Sequence, residues 1–271
     1  MPGIAVLMTV HDRREKTLRC LELLHAQKVP VDVYLTDDGC TDGTPDAVRA
    51  RFPGVHVIPG DGSLFWCRGM RRAWEAALGG NYDVFLWLND DTYLFPDAMK
   101  VLQETAGRHP GCIVVGMTCS AQTGAFTYGG RLARRMEHVM GERPLDTFDG
   151  NIVWVPASVS QQIGLLDGRF SHAMGDTEYG FRASAKGIGI WQTPEFLGTC
   201  EEHDRPSAWC DPDIPLRKRW RMLRSPLGCP PEEYFVVDRY RGLGTALRHY
   251  LSIHFRVLFP ALWLPSDRHE A

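Results

Sequence analysis

The chain has 271 residues, of which 44% are hydrophobic and 23% charged, with a net charge of −3. That suffices for one large globular domain, or a domain with an extension, and excludes a disordered or repetitive chain. Nowhere do eighteen uncharged apolar residues run together, which argues against a membrane span. The eight cysteines (Cys20, Cys40, Cys67, Cys112, Cys119, Cys200, Cys210, Cys229) contain no Cys-x-x-Cys pair. The apolar start, Ile4 to Val10, is cut short by His11-Asp12-Arg13-Arg14, too soon for a secretory leader. A cytoplasmic protein with reduced thiols is the expectation.

In chain order, Ile4 to Thr9 reads as a strand. Asp12-Arg13-Arg14-Glu15 has capping-box spacing for a helix to about Gln27, with Leu18, Leu21 and Leu24 as its core stripe. Val31 to Thr36 is a second strand, and Pro45 behind Thr44 opens a second helix. Val55 to Ile58 is a third strand. Gly60-Asp61-Gly62 then leads through Ser63 to Met70 into a helix carrying Ala73, Trp74 and Ala77. The fourth strand, Val84-Phe85-Leu86-Trp87-Leu88, is apolar throughout, as a strand covered on both faces should be. This alternation predicts a parallel doubly wound sheet for the first hundred residues, with function at the carboxyl ends of its strands.

The fourth strand ends in Asn89-Asp90-Asp91. Two adjacent carboxylates in a dry cleft repel each other, and a hard divalent cation that also grips phosphate oxygens would hold them ionised. An Asx-turn or a helix N-cap before Pro96 explains the same pair. No Gly-x-Gly-x-x-Gly or Gly-Lys-Ser/Thr follows the first strand, which rules out nicotinamide and P-loop chemistry.

Thr9-Val10-His11-Asp12-Arg13, then Asp37-Asp38-Gly39-Cys40-Thr41-Asp42-Gly43-Thr44, then Arg68-Gly69, then Asn89-Asp90-Asp91 resemble, in order and spacing, family 2 glycosyltransferases. The resemblance covers roughly residues 4 to 205. It implies an α/β chain of the GT-A (nucleotide-diphospho-sugar transferase) fold, a mostly parallel central sheet flanked by helices. It implies that Thr9, His11, Arg13, Asp37, Asp38, Arg68, Asn89 and Asp90 line the nucleotide-sugar donor, with Asp38 and Asp37 at the base or ribose and Arg68 near the phosphates. Asp91, helped by Asp90, would coordinate Mn2+ or Mg2+ on the diphosphate. Asn89 stands where the family's Asp-x-Asp has its first acid, so a direct metal role for position 89 is not carried over.

In the second half, Gly175-Asp176-Thr177-Glu178 resembles the family's Glu-Asp motif at a helix start, with Gly175 replacing the Glu and Asp176 at the position of the catalytic base. Glu178 is the second choice. A carboxylate held in an enclosed pocket has its pKa raised toward the task of deprotonating an acceptor hydroxyl, although an acid there also suits a helix dipole. Gly150 to Ser158 reads as a strand into a turn that places Trp154 on the acceptor side or in the core. Lys186-Gly187 ends the helix, Ile188 to Trp191 is a further strand, and His203 is either a third metal ligand, as the resemblance implies, or an ordinary surface or core residue.

From Leu216 to Leu264 nine Lys/Arg face three acids, leaving residues 1 to 215 with a charge of −8. Tyr240, Leu243, Leu247, Tyr250, Leu251, His254 and Leu258 recur at helical spacing among Arg239, Arg241, Arg248 and Arg256. Such a helix lies on a membrane surface, on the catalytic domain or on a second subunit of a homodimer.

These readings divide the chain into a catalytic domain, 1–215 (a nucleotide-sugar half, 1–100, and an acceptor half, 101–215), and a basic, amphipathic helical C-terminal extension, 216–271. The expected activity is metal-dependent, inverting transfer from a nucleotide-sugar to a hydroxyl of a glycan or lipid-linked glycan, in bacterial surface polysaccharide synthesis at the inner face of the cell membrane. Rhamnosyltransferases are the nearest resemblance. No nucleic-acid partner is expected. A sugar-1-phosphate nucleotidyltransferase and a non-catalytic glycan-binding protein are the alternatives.

Overall fold

The computed structural model describes residues 2–202 and 208–262. Two compact units divide the chain, the first made of Met1–Ser171 and Gly175–Glu202. In chain order this unit contains β1 (Ile4–Val10), α1 (Arg14–Ala26), β2 (Asp32–Asp37), α2 (Thr44–Arg51), β3 (His56–Pro59), α3 (Phe65–Ala77), β4 (Val84–Leu88), β5 (Tyr93–Leu94), α4 (Ala98–Arg108) and β6 (Ile113–Cys119). It continues with β7 (Gly130–Leu132), β8 (Glu137–His138), β9 (Thr147–Phe148), β10 (Ile152–Pro156), α5 (Ala157–Ile163), α6 (Gly175–Ala185) and β11 (Ile190–Thr199).

Eight strands form one sheet in the order β3-β2-β1-β4-β10-β6-β11-β5. The first four are mutually parallel, as the apolar runs predict. β10 then enters antiparallel between β4 and β6. That reversal matters for the site, because the start of β10 lies beside the end of β4: Ile152 pairs with Leu88, and Asn89 donates its N–H to the Asn151 carbonyl at 3.1 Å. All five residues of β4 are buried. Helix α1 covers one face through Leu18, Leu21 and Leu24, which join Val6, Met8, Leu35 and Leu86 in one core cluster. On the other face Trp74 of α3 packs edge-on to Trp87, with ring centroids 5.5 Å apart. Helix α3 comes close to the sheet at Gly69, whose carbonyl accepts from Thr36 Oγ1 at 2.8 Å and where any Cβ would collide with the Thr9 side chain.

The start of α1 departs from the expected capping box. Asp12 sits at φ 49° and turns its carboxylate to the loop after β2, accepting from Thr41 N at 2.6 Å and Asp42 N at 3.2 Å. Asp42 supplies the cap instead, accepting from Arg14 N at 3.0 Å. Two neighbouring loops therefore brace each other, which keeps the Asp12 carboxyl below the usual carboxylate range, chiefly through the Thr41 N–H.

The second unit comprises His172–Met174 and the residues from His203 on. Its helices are α7 (Leu216–Leu223), α8 (Pro231–Asp238) and α9 (Leu243–Leu258). Its core gathers Trp209, Leu223, Cys229, Ile253 and Val257. Buried Arg219 donates to the Val257 carbonyl, and buried Asp238 faces His249 and Arg241, so both buried charges have polar partners. The apolar stripe of α9 does not all turn inward. Ala246, Ile253 and Val257 are buried, whereas Leu243, Leu247, Leu251, Phe255 and Leu258 are exposed. No helix among the described residues is long and apolar enough to cross a membrane.

Candidate functional site

Three segments meet at one end of the central strands of the large sheet: the tip of β4, the start of β10 and the first turn of α6. The β4 tip carries Asn89, Asp90 and Asp91. Asp90 is 5% exposed and accepts from Thr17 Oγ1 at 3.2 Å; burial, and then the Asp91 charge beside it, push its carboxyl up to about 7. Arg13, entering α1, opposes this with Nη1 at 2.7 Å from Asp91 Oδ2 and 3.4 Å from Asp90 Oδ1. Buried Cys200, just past β11, lies with Sγ 3.7 Å from Asp91 Oδ1 and 3.3 Å from Asn151 Nδ2. Its thiol is pushed up to about 12 by burial and by Asp91, so it stays protonated.

Two largely buried carboxylates balanced by one guanidinium leave an excess of negative charge at the strand tip. A divalent cation fits such a place, since Mg2+ and similar ions are commonly held by one or two carboxylates while phosphates and water complete the shell. A separate grouping of Asp12, Cys40 and Asp42 has ligand atoms within 4.8 Å of one another, but its carboxylates already brace the loops. His203 lies outside the described residues.

Asp176 opens α6. Its Oδ2 accepts from Gly150 N at 2.8 Å and its Oδ1 from Thr177 N at 2.7 Å. Burial, then the neighbouring Asp149 charge, raise its carboxyl to about 6 against those hydrogen bonds. Asp149 is itself held by Arg131 at 2.8 Å, by His138 at 2.7 Å and by Gly129 N at 3.2 Å. The two acidic centres are linked through the backbone: Asp176 holds Gly150, and the next residue, Asn151, holds Asn89.

The structure places other expected residues elsewhere. Asp38 is 4% exposed, and its carboxylate accepts from Gly62, Leu64 and Phe65 N–H at 2.8 to 3.1 Å. It therefore anchors the start of α3 instead of presenting its oxygens to a ligand. Partly exposed Asp37 closes its own turn onto Cys40 N. Arg68 donates from Nε to the Gly168 carbonyl at 3.1 Å. Exposed His11 has Nδ1 2.6 Å from the Asp38 carbonyl, and Thr9 packs on Gly69. Trp154 is a core residue, 5% exposed, opposite Leu86, and not an acceptor-side one. Glu178 is buried in a two-pronged pair with Arg182, which also donates to the Ile163 and Leu165 carbonyls, so it buttresses α6 and does not stand beside Asp176 as an alternative base.

Sequence reading missed Trp66, whose Nε1–H donates to Asn89 Oδ1 at 2.7 Å, and the Arg131–Asp149–His138 cluster. Only a Trp at a helix start and basic residues in a hairpin marked them, and neither signal is specific.

A family model for glycosyl transferase family 2 matches residues 5–157, more than half of the chain. The N-acetylglucosaminyl-diphospho-decaprenol L-rhamnosyltransferase of Mycobacterium tuberculosis is 27% identical over 221 residues, covering 69% of this chain and 71% of that one. Among solved structures, the mannosyltransferase PcManGT from Pyrobaculum calidifontis in complex with GDP-Man and Mn2+ superposes with a TM-score of 0.57 at 14% identity, over 98% of this chain and 76% of the other. Residues 1-349 of S. aureus TarS in complex with UDP-GlcNAc give 0.59 at 13%, over 98% and 77%. At such identities these likenesses bear on the fold alone. The chain belongs to glycosyl transferase family 2 and is a glycosyltransferase of the GT-A fold.

Proposed function

We propose that the protein transfers a sugar from a nucleotide-sugar to a hydroxyl of a lipid-linked glycan, with inversion, in the synthesis of bacterial surface polysaccharide. The observation that carries this reading is the pairing of two unlike acidic centres at one end of the central strands, Asp90–Asp91 at the tip of β4 and Asp176 at the start of α6. The acceptor class follows the name of the mycobacterial relative, a rhamnosyltransferase acting on a diphospho-decaprenol, and rhamnose is the donor sugar to try first. Membership of the family removes the nucleotidyltransferase and non-catalytic alternatives.

Asp91, with Asp90 beside it, is the pair that would hold Mn2+ or Mg2+; when bound, the cation supplies Lewis-acid stabilisation of the departing diphosphate. Arg13 keeps both carboxylates in place and Asn89 is oriented by Trp66. Asp176 takes the proton of the acceptor hydroxyl as its oxygen bonds to the anomeric carbon. The bond from that carbon to the diphosphate breaks in the same step, its electron pair leaving with the phosphate oxygen. No covalent intermediate is needed.

We assign this chemistry to residues 1–215 and membrane contact to 216–271. The exposed ridge Leu243, Leu247, Leu251, Phe255 and Leu258, with Arg239 and Arg248 exposed beside it, suits the surface of an anionic bilayer holding the acceptor, at the cytoplasmic face. Isothermal titration with nucleoside diphosphates tests the donor side. Wild-type protein should bind in Mn2+ and not without it, and Asp91→Ala should bind at least about tenfold more weakly, the loss of a charge-assisted contact. Equal affinities in the two proteins would overturn the metal assignment.

A further inference from the structure

Trp66 sits in the first turn of α3, at a place the fold constrains from both sides. The residue before it, Phe65, takes φ 57°, a left-handed conformation rare for an aromatic residue, while its N–H reaches the Asp38 carboxylate at 2.8 Å. A bent backbone held by a buried carboxylate fixes the direction in which the indole leaves the helix. Trp66 is only half-buried, although it packs edge-on to the fully buried Trp87 with centroids 6.2 Å apart.

From there the indole touches a neighbour of each acidic centre, Asn89 and Gly150. Its Nε1–H donates to Asn89 Oδ1 at 2.7 Å, one residue before the carboxylate pair. Its Cζ2 and Cη2 edge lies against Gly150, where a Cβ would stand 2.5 Å from both ring atoms and 3.2 Å from Asp176 Cβ. Glycine is required at 150 for that reason: the space its side chain would fill lies between the Trp66 ring and Asp176. The polar edge of the ring thus aims one centre while its apolar edge borders the other.

We propose that Trp66 is a positioning residue, one indole that orients the Asn89–Asp91 tip through Asn89 and walls Asp176 from bulk water through Gly150. The inference rests on the reading of Asp176 as the base. It explains why Asn stands at position 89, since the amide oxygen accepts the indole N–H without adding a third negative charge to a tip that already holds two. It also supplies the dry side of Asp176. The groups that face Asp176 from other elements are Asp149 and, opposing it, Arg131, with the Gly150 and Thr177 N–H groups on its oxygens. All of these remain when Trp66 is changed.

The test is a carboxyl-carbon NMR titration of the whole protein, with the Asp176 resonance assigned by its loss in Asp176→Asn. Trp66→Phe keeps an aromatic ring but loses the N–H and the second ring. Gly150→Ala displaces the indole without altering it. In wild type Asp176 should titrate near 6, and in both variants it should titrate lower as water reaches it. Sugar transfer by both should fall by roughly 10- to 100-fold in kcat, as misplacement of a reacting geometry does, with thermal unfolding still cooperative. An unchanged Asp176 titration in both folded variants overturns the proposal. Loss of activity that merely tracks loss of folded protein overturns it too. Asp176→Asn, assayed alongside, separates the two levels. Full transfer by that variant sinks the base reading and this inference with it, whereas an inactive Asp176→Asn beside wild-type-like Trp66→Phe sinks this inference alone.

Discussion

A base that must take a proton in a transition state works best when its own pKa is near the working pH, and Asp176 is the residue we propose for that task. Burial and Asp149 lift it to about 6, so it is mostly ionised at neutral pH yet far more basic than a solvated carboxylate. Asp176→Asn should leave nucleotide and Mn2+ affinity near wild type while transfer falls by roughly 10² to 10⁴, the range for loss of a general base. The wild-type rate should fall as pH drops through about 6, because only the ionised carboxylate accepts the proton. Stability carries the opposite sign. A carboxyl raised above its unfolded value favours the fold below about 3.8, and that contribution is lost as pH rises through about 6. Asp176→Asn should therefore melt higher than wild type at pH 8, with the gap closing toward pH 4. A variant that melts lower at pH 8 would show that the Gly150 and Thr177 hydrogen bonds outweigh the buried charge. The proposals for Asp176 and Asp91 start from the sequence, because each stands at the end of a recognisable element. Trp66 is not, since its partners Asn89 and Gly150 are brought to it only by the sheet.

Among the elements, α3 gives a loop acid a structural task that the sequence does not show. Asp38 follows β2 in a run of acids that resembles a ligand loop, but its carboxylate is the acceptor for three N–H groups at the start of α3. Asp38→Ala leaves those part-buried donors without their acceptor and should cost on the order of 1 to 3 kcal/mol, read as a lower denaturant midpoint; Asp38→Asn should recover part of it. An Asp38→Ala protein of wild-type stability but lost nucleotide affinity would return Asp38 to the donor site. Helix α9 is the opposite case. Its periodicity was legible, but which way the apolar face turns was not, because one stripe serves a core or a surface equally well. With Leu247 and Leu251 exposed, Leu247→Glu/Leu251→Glu should sediment less with phosphatidylglycerol vesicles while retaining transfer to a short soluble acceptor. Undiminished sedimentation, or a dimer becoming a monomer, would assign the ridge to another partner.

At the scale of the whole molecule, the run of mostly apolar strands made the parallel half of the sheet readable from Ile4 to Leu88. The reversal at β10 was not readable. Ile152 to Pro156 has the same apolar character as the parallel strands, and direction is set by the connection through β6 to β9, not by composition. Yet that reversal brings Gly150 and Asn151 beside Asn89 and so joins the Asp176 centre to the Asp91 centre. The claim that stands or falls with this arrangement is metal-dependent inverting transfer. The direct measurement is proton NMR of the product formed when purified protein, Mn2+ and a panel of nucleotide-sugars, including a nucleoside-diphospho-L-rhamnose, are incubated with a short-chain diphospholipid-linked N-acetylglucosamine. The account predicts that one donor is consumed, that its anomeric configuration is inverted in the product, and that chelating the metal stops the reaction. A product with retained configuration, or undiminished transfer in excess chelator, would contradict it.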